Sequence, residues 1–127
     1  MAKTPCPCGS DKAYAECCGL LHSGEGRATT AEQLMRSRFA AYAVRDVPYL
    51  LRSWHSNTRP SNLDLDRRTQ WTRLEILGTS DGGPFHTSGT VEFRAYYREG
   101  RGGAEQFMEE NSTFAREDGA WVYVAAV

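Results

Sequence analysis

No apolar run in this 127-residue chain approaches the roughly 20 residues needed to cross a bilayer, which argues against a membrane-spanning helix. The stretch from Met1 to Cys6 has no apolar segment of the secretory kind, so the expected compartment is the cytoplasm. A basic excess is missing too: 15 Lys and Arg stand against 16 Asp and Glu, a net charge of −1. Neutralising many phosphates takes a surplus of cations, so nucleic acid is a disfavoured partner. Lysine is almost absent, with only Lys3 and Lys12. No cysteine follows Cys18, so nothing downstream can pair with the four at the N-terminus. The length leaves room for one full-sized core plus a small appendage, not two domains of ordinary size.

What charge there is sits unevenly. Residues 28–73 hold eight arginines against four acids, and residues 74–127 hold four arginines against nine acids. A basic middle and an acidic end can orient a partner, and they equally describe a mixed solvated surface.

The four cysteines fall as Cys6-Pro7-Cys8, eight intervening residues, then Cys17-Cys18. Pairing within Cys-x-Cys or between adjacent cysteines is geometrically poor for disulfides. In a reducing compartment such clusters are more often metal ligands. Four thiolates about 2.3 Å from one zinc ion require two short segments meeting at a point, and this spacing provides them. Gly9 and Ser10 are suited to turn the chain, and Asp11 to Glu16 is long enough for one or two helical turns back to Cys17. Lys3 and Lys12 flank the cluster and can offset the formal −2 of a four-thiolate zinc centre. Three alternatives stay open: His22 replacing one cysteine, a redox role for Cys6 or Cys8, and copper(I) on the soft thiolates. Catalytic zinc is disfavoured, because four protein ligands leave no position for water. The stretch Pro5 to Gly19, PCPCGSDKAYAECCG, resembles the SEC-C motif, a small zinc module. That resemblance implies ligation by Cys6, Cys8, Cys17 and Cys18 and docking to another protein or to the ribosome. Asp11 stands where the family often has glycine.

Beyond a glycine-containing connector from Leu20 to Arg27, Thr30-Ala31-Glu32-Gln33 reads as a capping box. It opens a helix with an apolar stripe of Leu34, Met35, Phe39, Tyr42 and Ala43, with Arg36, Ser37 and Arg45 mostly off the stripe. A short helix is predicted from Val47 to Trp54, with Pro48 in its first turn. Another is predicted from Leu63 to Trp71, acidic first and basic later. The period then changes to two. Strands are predicted at Thr72 to Leu77, Thr90 to Arg98, Glu105 to Arg116 and Trp121 to Val124, with turns at Asp81 to Pro84, Gly100 to Gly103 and Asp118-Gly119. Helices followed by antiparallel strands predict an α+β domain over residues 28–127, its helices on one face of a curved antiparallel sheet, after a zinc module and connector over residues 1–27.

TAEQLMRSRF from Thr30, Ser53-Trp54-His55, Glu110 to Phe114 and Gly119 to Tyr123 together resemble the YchJ family. The resemblance implies a nuclear-transport-factor-two-like (NTF2-like) cone, in which helices and sheet enclose a pocket. It implies no particular activity. Such cones often pair through their sheets, so a homodimer is one option. Asn111 and Ser56 stand where many relatives carry an arginine and a proline.

Strand parity puts Met108, Glu110, Ser112 and Phe114 on one face if no bulge intervenes. An inward carboxylate needs a partner, and Arg36, Arg38 and His55 are the candidates. A Glu110–His55 pair in a pocket lined by Trp54 and Trp71 would serve as general acid and base. Alternatively, Glu110 anchors an arginine of the first long helix, and Trp54, Trp71 and Trp121 are core aromatics. Three functions follow as expectations. The first is a zinc-binding adaptor whose cone takes a second partner or small ligand, the second a small enzyme using Glu110 and His55, and the third, least favoured, is nucleic-acid binding through Arg36, Arg38, Arg67 and Arg68.

Overall fold

The computed structural model describes residues 4–127. Lys3, expected beside the cysteines, lies outside the described residues. A single 3-10 turn, Tyr14–Glu16, leads into α1 (Cys18–Ser23), α2 (Ala31–Val44) and α3 (Val47–Arg52). Four strands follow: β1 (Thr69–Asp81), β2 (Ser88–Glu99), β3 (Gln106–Glu117) and β4 (Ala120–Ala126). No helix among these residues is long and apolar enough to cross a membrane.

The helix α2 begins where the capping signal puts it. Thr30 Oγ1 accepts from the Gln33 amide at 3.1 Å. Gln33 Oε1 reaches back one residue further than a standard capping box, to the Thr29 amide at 2.8 Å. Asp46 caps α3 by accepting from the Tyr49 amide at 3.1 Å, and α3 ends at Arg52, two residues before the predicted Trp54. The connector after Gly19 is partly helical, because Leu21 packs with Ala41, Tyr49 and Leu50, and Gly24 (φ 87°) ends α1 only afterwards.

The helix predicted from Leu63 to Trp71 does not form. Arg45 captures the carbonyls of Asp66, Arg67 and Thr69 at 3.2, 2.9 and 3.2 Å. Asp66 Oδ1 accepts from the Arg68 amide at 2.8 Å in a local turn. Leu63 and Leu65 pack on the α2–α3 cluster as extended chain, and Trp71 is drawn into β1 opposite Tyr97. Long-range pairing overrides a local charge pattern here.

The sheet is an antiparallel meander in the order β1-β2-β3-β4. Register shifts lie between Trp71 and Arg73, between Ile76 and Gly78, and between Thr113 and Phe114 against β4. Such irregularities bend strands and curve the sheet around α2. The β2–β3 ladder has none, so parity along β3 is kept. Leu34, Met35 and Phe39 of α2 pack with Val91, Phe93, Ala95, Phe114 and Trp121 as the main core. The far face carries the registered ladder Glu75, Arg94 and Glu109, in which Arg94 Nε donates to Glu109 at 2.7 Å.

Ser37 is fully buried, against the expectation that it lies off the apolar stripe. Its hydroxyl meets Tyr49 Oη at 2.6 Å, because α2 is covered by α3 as well as by the sheet.

The turn between β1 and β2 sets a steric limit. A Cβ added to Gly89 would lie 2.4 Å from the Gly82 amide nitrogen, whereas one added to Gly78 meets nothing within 4 Å. Gly89→Ala is expected to destabilise the fold by about 1–3 kcal/mol and Gly78→Ala by under about 0.5 kcal/mol, read as urea midpoints at unchanged slope.

Candidate metal centre and cavity

The N-terminal knuckle is drawn together by backbone bonds: the Cys6 amide donates to the Lys12 carbonyl at 2.9 Å and the Tyr14 amide to the Thr4 carbonyl at 2.8 Å. Gly9, at φ 84°, makes the turn after Cys8. The return path is the one 3-10 turn. The four sulfurs of Cys6, Cys8, Cys17 and Cys18 all lie within 4.8 Å of one another. The Cys8 and Cys17 sulfurs are 3.6 Å apart. Four sulfurs around a tetrahedral ion at about 2.3 Å would be about 3.8 Å apart, so the donor set fits a metal ion with little movement. Cys6, Cys8 and Cys18 are buried and Cys17 is partly exposed.

Protons are shared unevenly among these thiols. The hydrogen bond from Cys18, against the effect of burial, lowers Cys8 to about 4. Cys18 is pushed up, first by that same bond and then by burial, and burial also raises Cys6. Thiols ligate a metal as thiolates, so binding at this cluster would release protons.

His22 stands outside the cluster. Its Nε2 donates to the Ser37 carbonyl at 2.8 Å, so Nδ1 is the acceptor facing Tyr14 Oη at 2.6 Å. With both nitrogens engaged, His22 fastens α1 to α2 and does not replace a cysteine. Arg36, one of the candidate partners for Glu110, instead turns to the knuckle. Its Nη1 donates to the Cys8 carbonyl at 2.9 Å, and its Nε donates to Glu32 at 3.1 Å.

A cavity of ≈ 250 Å³ lies between α2 and the sheet. Trp54, Trp71, Glu110 and Ser112 line it, as do Arg38, Tyr42 and Tyr123. Trp121 lies in the main core. The Glu110 carboxylate accepts from Ser112 Oγ at 2.5 Å and from Tyr123 Oη at 3.5 Å. Burial first, then the charge of Glu110, raises the Tyr123 phenol.

The predicted Glu110–His55 pair is not assembled. The His55 amide donates to the Tyr123 carbonyl at 2.7 Å, its Nδ1 accepts from the Asn57 amide at 3.1 Å, and that nitrogen lies 3.9 Å from Glu117. Seven residues along β3 from Glu110, Glu117 is the carboxylate that holds this turn, accepting from the amide and hydroxyl of Ser56. The alternative in which Glu110 anchors an arginine fails as well. Nη1 of Arg38 donates to the Leu50 carbonyl and to Ser53 Oγ, both at 2.8 Å, and its guanidinium lies 4.9 and 4.7 Å from the ring centres of Trp54 and Tyr123. Sequence reading missed Tyr42 and Tyr123 as cavity residues, and offered Arg38 inside the cone only as a partner for Glu110. The signal for Arg38 was present, since Met35, Arg38, Phe39 and Tyr42 share one helical face.

A four-thiol knuckle on helices packed against a four-stranded meander defines a SEC-C module joined to an NTF2-like domain. Residues 4–20 match the model of the SEC-C motif, and residues 30–126 match that of the YchJ middle NTF2-like domain. The chain belongs to the YchJ family. A UPF0225 protein of Streptomyces coelicolor is 54% identical over 123 residues, covering 97% of this chain and 94% of the relative. One from Corynebacterium glutamicum is 53% identical over 118 residues, covering 93% and 92%. The solution structure of a SEC-C motif containing protein from Rhodopseudomonas palustris superposes with a TM-score of 0.83 at 36% identity, covering 98% of both chains. The crystal structure of one from Psychrobacter arcticus gives 0.78 at 26% identity, covering 95% of this chain and 80% of the other.

Arg36→Ala removes the tie between α2 and the Cys8 carbonyl. It is expected to weaken the knuckle by roughly 0.5–1.5 kcal/mol, seen as faster loss of bound metal to a chelator with an unchanged far-ultraviolet spectrum.

Proposed function

We propose that this chain is a zinc-dependent adaptor: the knuckle docks on a protein or ribosomal surface, and the cone receives a second partner or a small ligand. The observation that carries the reading is the closed set of four sulfurs on a segment with little apolar burial of its own. Zinc held by Cys6, Cys8, Cys17 and Cys18 would supply a structural cross-link, and four protein ligands leave no position for catalysis at the metal. In small finger peptides such a link is worth roughly 10–16 kcal/mol, enough to hold a segment this short.

The docking surface is the groove beside the cluster. Lys12, Arg27 and Arg36 line it together with Glu16, and Leu20 adds an exposed apolar contact. Mixed charge around an apolar contact suits a protein surface. The motif's presence in the Rhodopseudomonas and Psychrobacter proteins, on a matching fold over nearly the whole chain, supports treating knuckle and cone as one working unit. The acid–base alternative has lost its pair, since His55 is held by the turn to Glu117.

Protein purified without chelator or metal-binding tag is expected to carry one zinc and four titratable thiols per chain. Cys17→Ser is expected to lower zinc occupancy and abolish co-sedimentation with ribosomes or capture of the partner, while the cone keeps its sheet. Absence of metal together with missing thiols would move the cysteines to redox chemistry. Undiminished partner capture by the metal-free variant would overturn the docking role.

A further inference from the structure

The cavity wall holds a buried cation with no carboxylate within ion-pair distance among the described residues. Arg38 is only 3% exposed, yet none of the ion pairs among the described residues includes it. Its neutral partners are the Leu50 carbonyl and the Ser53 hydroxyl, both taken by Nη1, and the Tyr42 hydroxyl. The phenols of Tyr42 and Tyr123 and the ring of Trp54 complete its surroundings. Five N–H donors fan out from a guanidinium, and two bonds use up Nη1 alone. Burial lowers Arg38 from its ordinary value, with the tyrosines opposing, and it remains a cation.

One unpaired donor stands in the same wall. Trp54 lines the cavity, and its indole Nε1 is the one buried side-chain polar atom without a hydrogen-bond partner among the described residues. Trp121, by contrast, donates its Nε1 to the Thr29 carbonyl at 3.2 Å. A buried cation with no carboxylate within ion-pair distance is costly unless another charge answers it. Across the cavity, Glu110 is already satisfied in part by Ser112 and Tyr123, and it would repel a second negative charge placed near it.

From these observations, and resting on the reading of the cone as a receptor, we propose that the cavity binds a small aromatic monocarboxylate. The carboxylate meets Arg38, the flat body lies among Trp71, Phe39 and Phe93, and a hydroxyl or amino donor meets Glu110. The volume sets the size. At ≈ 250 Å³ the cavity is smaller than the roughly 300–1,000 Å³ of drug-sized sites, so one ring with short substituents fits and a fused polycyclic ligand does not. The charge balance sets the valence: one anion answers Arg38, whereas a dianion would face Glu110.

The test compares 4-hydroxybenzoate and 4-hydroxyphenylacetate with their primary amides, which keep the shape and lose the charge. Binding is followed by titration calorimetry and by the indole N–H signals of the three tryptophans. The acids are expected to bind at least about tenfold tighter than the amides, moving the Trp54 signal and leaving that of Trp121 in place. Arg38→Met is expected to erase the preference. Should that variant fail to fold, Met108→Trp, at the half-exposed edge of the cavity, is expected to block both acid and amide. Equal binding of acid and amide would overturn the anion inference and leave the receptor reading standing. No binding of either, with the Trp54 signal unmoved, would overturn both.

Discussion

The structure depends on the burial of one helix from three directions. Along α2, Leu34, Met35 and Phe39 meet the sheet, Ala41 meets α3 and α1, and Ala40 meets the cysteine cluster. A helix covered so widely shows no strong apolar stripe, and its polar residues must be answered from within. Ser37 is answered by Tyr49, and Arg38 in part by Leu50 and Ser53. The alanines at 40 and 41 matter for a related reason: with no side chain beyond Cβ, they let the knuckle and α3 approach the helix axis closely.

Two arginines on that helix divide the molecule's chemistry. Arg36 and Arg38 are two residues apart, hence about 200° around an α-helix and on opposite sides. Arg36 turns to the Cys8 carbonyl and braces the cysteine cluster, while Arg38 lines the cavity between α2 and the sheet. Neither contacts Glu110 within ion-pair distance, although the sequence offered both for that role. A pairing inferred from proximity of motifs does not specify which side of the helix each residue takes.

Much of the plan was legible in the residues. The period-two alternation of Val91, Phe93, Ala95 and Tyr97 predicted the central strand, and unbroken parity along β3 brought Glu110 and Ser112 to the cavity wall. The cysteine spacing predicted a single cluster, because two short segments with a turn between them have few other ways to satisfy four thiols. What was not legible depends on distant partners. The charge pattern of residues 63–71 reads as a helix until Arg45 withdraws three carbonyls from it. His55 sits beside a tryptophan that lines the cavity, yet its own position follows from the Tyr123 carbonyl and from Glu117, more than sixty residues away.

The way the knuckle is attached decides how far loss of metal would travel. The α1 segment has ties that do not involve sulfur: Arg52 Nη2 donates to the carbonyls of Leu21 and His22 at 3.2 and 2.5 Å, and His22 donates to Ser37. Residues 4–17 have fewer such ties, chiefly the Arg36 bond, the Tyr14 hydroxyl on His22 and the contact with Ala40. An apolar contact through one alanine buries little area, so its contribution is well below the 1.5–3 kcal/mol of a large side chain. Removing the metal would therefore loosen the first loop and stop at α1, leaving α2 seated on the sheet and the cavity intact. The proposed metal-dependent docking and the proposed ligand binding in the cone would then be separable, joined through α2 but not obliged to switch together.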